Sequence, residues 1–240
     1  SVTTAANFES SMSQVQAISG STQSDLTRLT AKAKEMGATT KFTAAESAEA
    51  FNYMAMAGWN AEQMMGGIEG ILNLAAASGE DLGTTSDIVT DALTAFGLKA
   101  SDATHFSDVL AQASSSANTD VGMMGETFKY VASMAGSLSY SIEDVALMTG
   151  LMANSGIKST QAGTALNSVL TRLATNSSGA ADAIAALGVN FYDSAGNARP
   201  LGTVMGELRE ATKGMNQEQK SSLANTVAAV SYTHLRAHET

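Results

Sequence analysis

Several features are scarce in this 240-residue sequence, and each absence narrows what the chain can be. There is no cysteine, which excludes a disulfide framework and a thiolate metal site and fits a reducing compartment. One proline is present, whereas globular chains average about 5% proline. Because proline interrupts helices and alanine favours them, so little proline beside abundant alanine predicts a helical chain.

Charge is also scarce, and it is unevenly distributed. Charged residues make up 15% of the chain, against roughly 25% in typical domains, and the net charge is −10. Between Phe42 and Phe128 there are twelve carboxylates and one basic residue, Lys99. Nucleic acids and anionic lipids both attract proteins through Lys and Arg, so this segment favours neither partner. We therefore expect no specific nucleic-acid binding.

The chain lacks a long apolar run and a visible targeting segment. The best candidate for a membrane span, residues 145–157, has 13 uncharged residues, where a spanning helix needs about 20. The first residues show neither the basic nor the apolar region of a signal peptide. The sequence begins with serine rather than methionine, so we expect it to be a fragment of a longer protein.

Helix start and stop signals recur along the sequence. Four segments resemble capping boxes, in which a cap side chain and the residue three positions later bond each other's backbone amides. They are Thr43–Glu46, Asn60–Gln63, Ser141–Asp144 and Asn216–Gln219. Glycines after periodic segments predict helix ends at Gly20, Gly37, Gly58, Gly79, Gly97, Gly136, Gly156 and Gly188. These signals predict an all-α protein, a multi-helix array of about ten short helices.

Two further features concern the organisation of the chain. Residues 189–193 and 198–201 flank a Ser-Ala-Gly-Asn turn, which predicts one small β-hairpin near 189–201. In addition, segment 43–97 is loosely echoed by segment 129–175 at a spacing of about 75 to 80 residues. A diverged duplication explains this echo, and so does a run of similar helical hairpins.

The densest cluster of methionines lies between Met54 and Gly67 and includes the only tryptophan. In a helix that begins after Asn60, Met64 and Ile68 share one stripe with Met65 beside it. Trp59 would then precede the cap and pack on Met64 as a hydrophobic staple.

We interpret this cluster as a packed helix junction. The glycine pair Gly66 and Gly70 would allow a neighbouring helix to approach closely, at about 1 kcal/mol of helix propensity per glycine. The alternative is a methionine-rich groove for a partner helix, since methionine adapts to varied surfaces. The candidate packing or interaction residues are Trp59, Met64, Met65, Ile68, Met148 and Met152.

No arrangement of residues suggests catalysis. His234 and His238 have the i, i+4 spacing of a helical metal pair, but no glutamate follows His234. His105 lies near Asp102 and Asp108, as surface histidines often do. No glycine-rich phosphate loop and no nucleophile elbow occurs in the sequence. We therefore predict that the chain is not an enzyme and carries neither cofactor nor metal.

An ordered set of short segments resembles a known family. The segments are 8–12 (FESSM) with Val15, 31–46 (AKAKEMGATTKFTAAE), 50–59 (AFNYMAMAGW), 71–77 (ILNLAAA), 91–98 (DALTAFGL), 108–111 (DVLA), 163–166 (GTAL), 187–189 (LGV) and 191–193 (FYD) with Gly196. Together they resemble the core region of phage tail tape-measure proteins of the lactococcal-phage TP901 type. The resemblance covers about residues 5–230.

The resemblance implies a structural role. Tape-measure proteins are long helical chains around which tail-tube subunits polymerise, so that chain length sets tail length, and they leave the tube ahead of DNA at infection. The implied partners are the tail-tube protein, tail assembly chaperones and distal tail proteins, with self-association left open and membrane contact only at infection. The implied location is the virion tail, after synthesis in the bacterial host cytoplasm.

The resemblance also frames the domain organisation. We predict one helical core domain over residues 1–230 and a non-native tail over residues 231–240, where SYTHLRAHET departs from the family pattern. Because measuring length requires a much longer chain, we expect this domain to be one module of it. A helical protein-interaction module and a membrane-active helical protein remain alternatives.

Overall fold

The computed structural model describes residues 2–175 and 179–228, and this part of the chain is helical. It contains twelve α helices, two more than expected, and one 3-10 turn at Ala100–Asp102. The α helices are α1 Val2–Ser19, α2 Gln23–Thr39, α3 Ala44–Met56, α4 Ala61–Ser78, α5 Leu82–Phe96, α6 Ala103–Ser116, α7 Val121–Ser137, α8 Ile142–Asn154, α9 Ser159–Thr175, α10 Ala180–Ala185, α11 Leu201–Ala211 and α12 Gln217–Ala228. The all-α prediction is confirmed.

The helices form two layers, and the chain crosses between the layers at nearly every connection. Helices α1, α3, α5, α7 and α9 lie side by side in the first layer, and α2, α4, α6 and α8 lie side by side in the second. Helix α11 packs on α8 and α12 packs on α9, so both layers continue to the end of the described chain. The short helix α10 packs on α9 and α12.

The first layer has a regular period. Its helices α3, α5, α7 and α9 begin at Ala44, Leu82, Val121 and Ser159, so successive starts are 38, 39 and 38 residues apart. At matching positions these helices bury Phe51, Val89, Phe128 and Leu166, each at most 2% exposed. One helix from each layer therefore makes one structural unit.

The second layer follows the same period. Met64 on α4, Ala103 on α6 and Ile142 on α8 are buried and 39 residues apart. The 3-10 turn before α6 stands where α4 has its first turn. Two units make 77 residues, from Ala44 to Val121, which lies within the spacing of the echo in the sequence. A duplication as the origin of this period stays a prediction, as does the boundary of the core domain at residue 230.

Local capping motifs mark where several of the helices begin. The capping boxes at Thr43, Asn60 and Ser141 are confirmed. At Asn216 the side chain accepts from the Gln219 amide, and the Gln219 side chain accepts from the Asn216 amide, which confirms the fourth box. Each cap satisfies amides that the first helical turn leaves without a partner.

Six of the eight glycines expected at helix ends have the positive φ of a left-handed cap, but two do not. Gly37 and Gly136 lie inside α2 and α7, so their prediction as helix ends is wrong. A Cβ on Gly37 would lie 2.5 Å from the Ala44 nitrogen, and one on Gly136 would lie 2.8 Å from the Ala95 oxygen. These two glycines instead admit a neighbouring backbone. The six at helix ends are Gly20, Gly58, Gly79, Gly97, Gly156 and Gly188.

The predicted β-hairpin near 189–201 is wrong. Within the described residues this segment forms one isolated bridge, between Tyr192 and Ala198, and no strand. The Asp193 carboxylate accepts from the amides of Ala195 and Asn197 and folds the segment into a tight turn. Pro200, which lacks an amide hydrogen, then leads directly into α11, so pairing cannot continue.

Candidate functional site

The cluster around the tryptophan is part of the core. Trp59 is 6% exposed, and Met64 and Ile68 on α4 are fully buried. The Trp59 ring lies against Gly67, where an added Cβ would meet the ring at 2.3 Å. Met65 is half-buried and packs on the core. A role for these residues in partner binding stays a prediction.

The two glycines of the pair on α4 differ in how closely they contact α6. A Cβ on Gly70 would lie 2.7 Å from the backbone of Ala103 and Thr104, so α6 begins in direct contact with α4. A Cβ on Gly66 would have no atom nearer than 4.0 Å. Close approach of the two helices therefore depends on Gly70.

The remaining candidates, Met148 and Met152, lie on α8, two helices away from α4 in the same layer. Both side chains are half-buried and pack on the core. The structure thus separates the six candidate residues into a group at the start of α4 and a pair on α8. The helix of the second group, α8, forms one wall of a surface groove that the sequence did not reveal, but neither methionine lines it.

This groove lies between α6 and α8, and we call it the α6–α8 groove. It has a volume of about 590 Å³. Its polar rim includes His105, Asp108, Gln112, Glu143 and Asn154. Its apolar lining includes Val109, Ala113, Ala146, Leu147, Gly150 and Leu151.

One polar contact spans the groove at its N-terminal end. The Nε2 atom of His105 lies 2.6 Å from Oε1 of Glu143, so the histidine pairs across helices rather than with Asp102 or Asp108 on its own side. Burial works to raise the pKa of Glu143, but hydrogen bonds from its own amide, Ser141 and His105 outweigh it and lower the pKa. The carboxylate is thereby held in its charged form at the rim.

The groove exists because α6 packs less closely on α8 than on α4. In the 39-residue register, the position that Gly70 holds on α4 is Val109 on α6. A glycine there admits the next helix, whereas a valine side chain fills the space. Val109 itself lines the groove.

Sequence reasoning missed the two most exposed apolar residues of the groove. Leu147 is 45% exposed and Leu151 is 48% exposed. The available signal was the uncharged run of residues 145–157, which places apolar side chains on every face of a short helix. That run is too short for a membrane span. Because a helix packed in a layer buries only part of its surface, some apolar residues of the run face solvent or a partner.

Neither a metal-binding cluster nor a helix able to span a membrane occurs in the part of the chain that the structure describes. No group of three or more His, Asp or Glu residues among these residues is placed to hold a metal ion. None of the described helices has both the length and the hydropathy that crossing a membrane requires. His234, His238 and the predicted non-native tail 231–240 lie outside the described residues.

Comparison with known proteins identifies the family. The profile described as phage-related minor tail protein matches residues 30–228. The chain belongs to the phage-related minor tail protein family. Membership in this family confirms the resemblance to phage tail proteins drawn from the ordered sequence segments.

Two relatives of this chain carry a more specific name. It is 40% identical over 214 residues to the "Tape measure protein" of Pneumococcus phage Dp-1, across 89% of this chain and 19% of the relative. It is 29% identical over 204 residues to the "Probable tape measure protein" of Escherichia phage P2, across 84% of this chain and 25% of the relative. The chain thus spans a quarter or less of these relatives. No solved structure matches it.

Proposed function

We propose that this segment is one module of a tape-measure protein, which sets tail length during virion assembly and leaves the tube ahead of DNA at infection. The observation that carries the proposal is the 40% identity, over 89% of the chain, to a relative named a tape measure protein. The helical array supports a structural role, because its buried residues are devoted to packing one helix against the next.

The layered fold suggests how the module behaves during assembly. In the first layer each helix packs mainly on the helices before and after it in that layer, as in repeat proteins whose units contact only their neighbours. Such an array can open one unit at a time. We propose that the module extends, at least in part, when tail-tube subunits polymerise around it.

The proposed partners are the tail-tube protein, tail assembly chaperones and distal tail proteins.

We propose that the chain has no enzymatic activity, is made in the bacterial host cytoplasm and resides in the virion tail. The acidic segment from Phe42 to Phe128 supports a passage that DNA can traverse without adhering, because its twelve carboxylates repel phosphate.

The relatives, both named as tape measure proteins, favour this role over the two alternatives. The methionine-rich segments near Met64 and Met148 suggested a helical interaction module, and the weakly charged helices suggested a membrane-active protein, but neither relative is named for such a role.

The coding DNA on both sides of this sequence gives the first test. We expect one long, helix-rich reading frame flanked by genes for tail-tube, chaperone and distal-tail proteins. A short, self-contained frame beside secretion or regulatory genes would contradict the proposal.

Mass spectrometry of virions gives the second test. Trypsin should release residues 100–129 as one peptide, because Lys99 and Lys129 bound a stretch without Lys or Arg. We expect this peptide in purified tails and a strong loss of it from particles that have ejected their DNA. Tail-tube peptides, which stay in both samples, are the matched control. Absence of the peptide from intact tails, or equal amounts in both samples, would overturn the proposal.

A further inference from the structure

We propose that the α6–α8 groove binds an amphipathic helix of a partner protein, one with an apolar stripe bordered by Lys or Arg. The inference rests on the structure of these two helices and holds whether or not the segment acts in a tail. It concerns a surface that the packing of the array leaves uncovered.

The first argument comes from comparing matching positions of the second layer. The outward position held by Leu147 on α8 is Asp108 on α6 and Glu69 on α4, each 39 residues apart. All three side chains are exposed. The array accommodates a carboxylate at this position on α4 and α6, whereas on α8 the Leu147 side chain reaches Gly202 of α11 and still leaves 45% of its surface exposed.

The neighbouring outward position repeats the pattern. Leu151 on α8 corresponds to Gln112 on α6 and Asn73 on α4, and these residues are also exposed. Both positions are therefore polar in the units that contain α4 and α6, and both are leucine in the unit that contains α8. Leu151 and the exposed part of Leu147 thus form an apolar ridge that α11 does not cover, and an uncovered apolar patch of this kind marks a site of contact with a partner.

The shape of the groove suits a helix. Leu147 and Leu151 are one turn apart and form a single ridge, since i and i+4 side chains lie on the same helix face. Small residues beside this ridge, Ala113, Ala146 and Gly150, leave space for large side chains of a visitor. Helix α6 has 14 residues and is about 21 Å long, so a partner helix of about four turns would fill the groove.

The negative charge of the rim favours a partner helix that carries Lys or Arg. Asp108 and Glu143 border the groove, and no Lys or Arg among the described residues lines it. The first turn of α8 carries a second carboxylate, Asp144, which accepts a hydrogen bond from the Leu201 amide. An acidic partner helix would meet like charges here, whereas Lys or Arg beside its apolar stripe would meet carboxylates.

The test uses two synthetic 18-residue helical peptides with leucine at positions spaced i, i+4, i+7 and i+11. One peptide has lysines beside the stripe, and the other has glutamates at the same positions. Fluorescence anisotropy measures the binding of each peptide to the full chain at low salt. We expect saturable binding of the lysine peptide, at least tenfold tighter than that of the glutamate peptide, and weaker affinity as salt increases.

Substitutions then locate the binding site. Leu151→Asp should weaken the lysine peptide at least tenfold, and Glu143→Lys should weaken it and reduce its dependence on salt. The matched control is Met56→Asp, which places the same charge at another exposed apolar residue, 60% accessible and on α3. Because Leu151 and Met56 are both largely exposed, both variants should retain the wild-type circular dichroism and melting temperature.

Three results would overturn the inference. They are binding that does not saturate, equal binding of the two peptides, and binding that Leu151→Asp leaves unchanged. A fourth would assign the groove to a second copy of this chain, namely self-association in sedimentation experiments that Leu151→Asp abolishes while the lysine peptide fails to bind.

Discussion

At the scale of single residues, Gly70 and Gly66 show that the same residue type on one helix can have different effects on stability. Both lie on α4, four residues apart, and both weaken the helix relative to alanine. At Gly70 the backbone of α6 occupies the space of a side chain, whereas at Gly66 that space is open. The loss of helix propensity is offset by packing at one position and not at the other.

We therefore expect alanine substitutions at these glycines to have opposite effects. Gly70→Ala should lower the free energy of unfolding by about 1–3 kcal/mol, because the new methyl group overlaps the α6 backbone. Gly66→Ala should raise it by about 0.5–1 kcal/mol through helix propensity alone. Urea denaturation followed by circular dichroism measures both. Equal effects at the two positions would show that α4 and α6 are not in direct contact.

Buried hydroxyls form a second case at this scale. Ser107 on α6 is 3% exposed, and its Oγ has no hydrogen-bond partner. Burying a hydroxyl removes its hydrogen bonds to water, and where no protein acceptor replaces them the folded state is destabilised. Ser107→Ala should thus raise the free energy of unfolding by about 1 kcal/mol.

Thr127 supplies the control for that substitution. Its hydroxyl donates to the carbonyl oxygens of Met123 and Ser159, and the second bond joins α7 to the start of α9. Thr127→Val keeps the shape and removes these bonds, so it should lower stability by about 1 kcal/mol. The prediction for Ser107 fails if both substitutions destabilise the chain in the same denaturation assay.

At the scale of helices, carboxylates act as caps and link stability to pH. Asp81 caps α5, where its carboxylate accepts from the Thr84 hydroxyl and amide, and these bonds lower its pKa. The folded state thus favours the charged form. The resulting stability is present above the ordinary aspartate pKa of about 3.9 and is lost as pH falls through the lower, folded-state value.

We expect the melting temperature of the chain to fall as pH is lowered from 5 towards 3, and the variant Asp81→Asn to lose less over the same interval. Asparagine caps a helix nearly as well as aspartate but does not titrate, so it separates charge from capping. Calorimetry at several pH values checks this. Parallel losses in both proteins would show that the Asp81 carboxylate does not contribute to the acid sensitivity.

Helix starts could be predicted from the sequence because a capping box is a local motif in which residues three positions apart bond each other. Features that depend on a distant neighbour could not. Gly37 and Gly136 resemble helix ends in the sequence, and only the approach of another backbone shows why they lie inside helices. The segment near Tyr192 had a plausible strand pattern, but it has no adjacent strand to extend the pairing.

The candidate site likewise contains residues that the sequence could assign and residues that it could not. Met64 and Ile68 could be assigned to one face of α4 from helical periodicity alone. Leu147 and Leu151 could not be distinguished from core residues until the 39-residue register showed their counterparts to be polar. That register connects α4, α6 and α8, and it becomes visible only when the helices are placed in layers.

At the scale of the whole molecule, the layered array predicts stepwise mechanical unfolding. Each unit of 38–39 residues contacts mainly the units beside it, so units can open in sequence. One unit should release about 130 Å of chain, from roughly 3.4 Å per residue. The absence of native cysteine allows pulling handles to be attached at introduced cysteines, such as Ser24→Cys and Asn225→Cys, without competing thiols.

An optical trap should then record several extension steps of about 130 Å or small multiples of it. The control is the same chain with Gly70→Ala, in which we expect the force of one step to decrease while the other steps stay unchanged. Release of the whole chain in a single event would show that the layers unfold cooperatively and that the units are not independent.

The period of 38 or 39 residues also has a consequence for how such genes change. Recombination between matching positions of two units removes or adds about 117 nucleotides, the coding length of 39 residues, and leaves every remaining helix beside a neighbour of the expected kind. Changes of other lengths leave a helix with no partner in its layer. Among related phage genes, we therefore expect insertions and deletions in this region to occur in whole units, and an alignment of their sequences would show it.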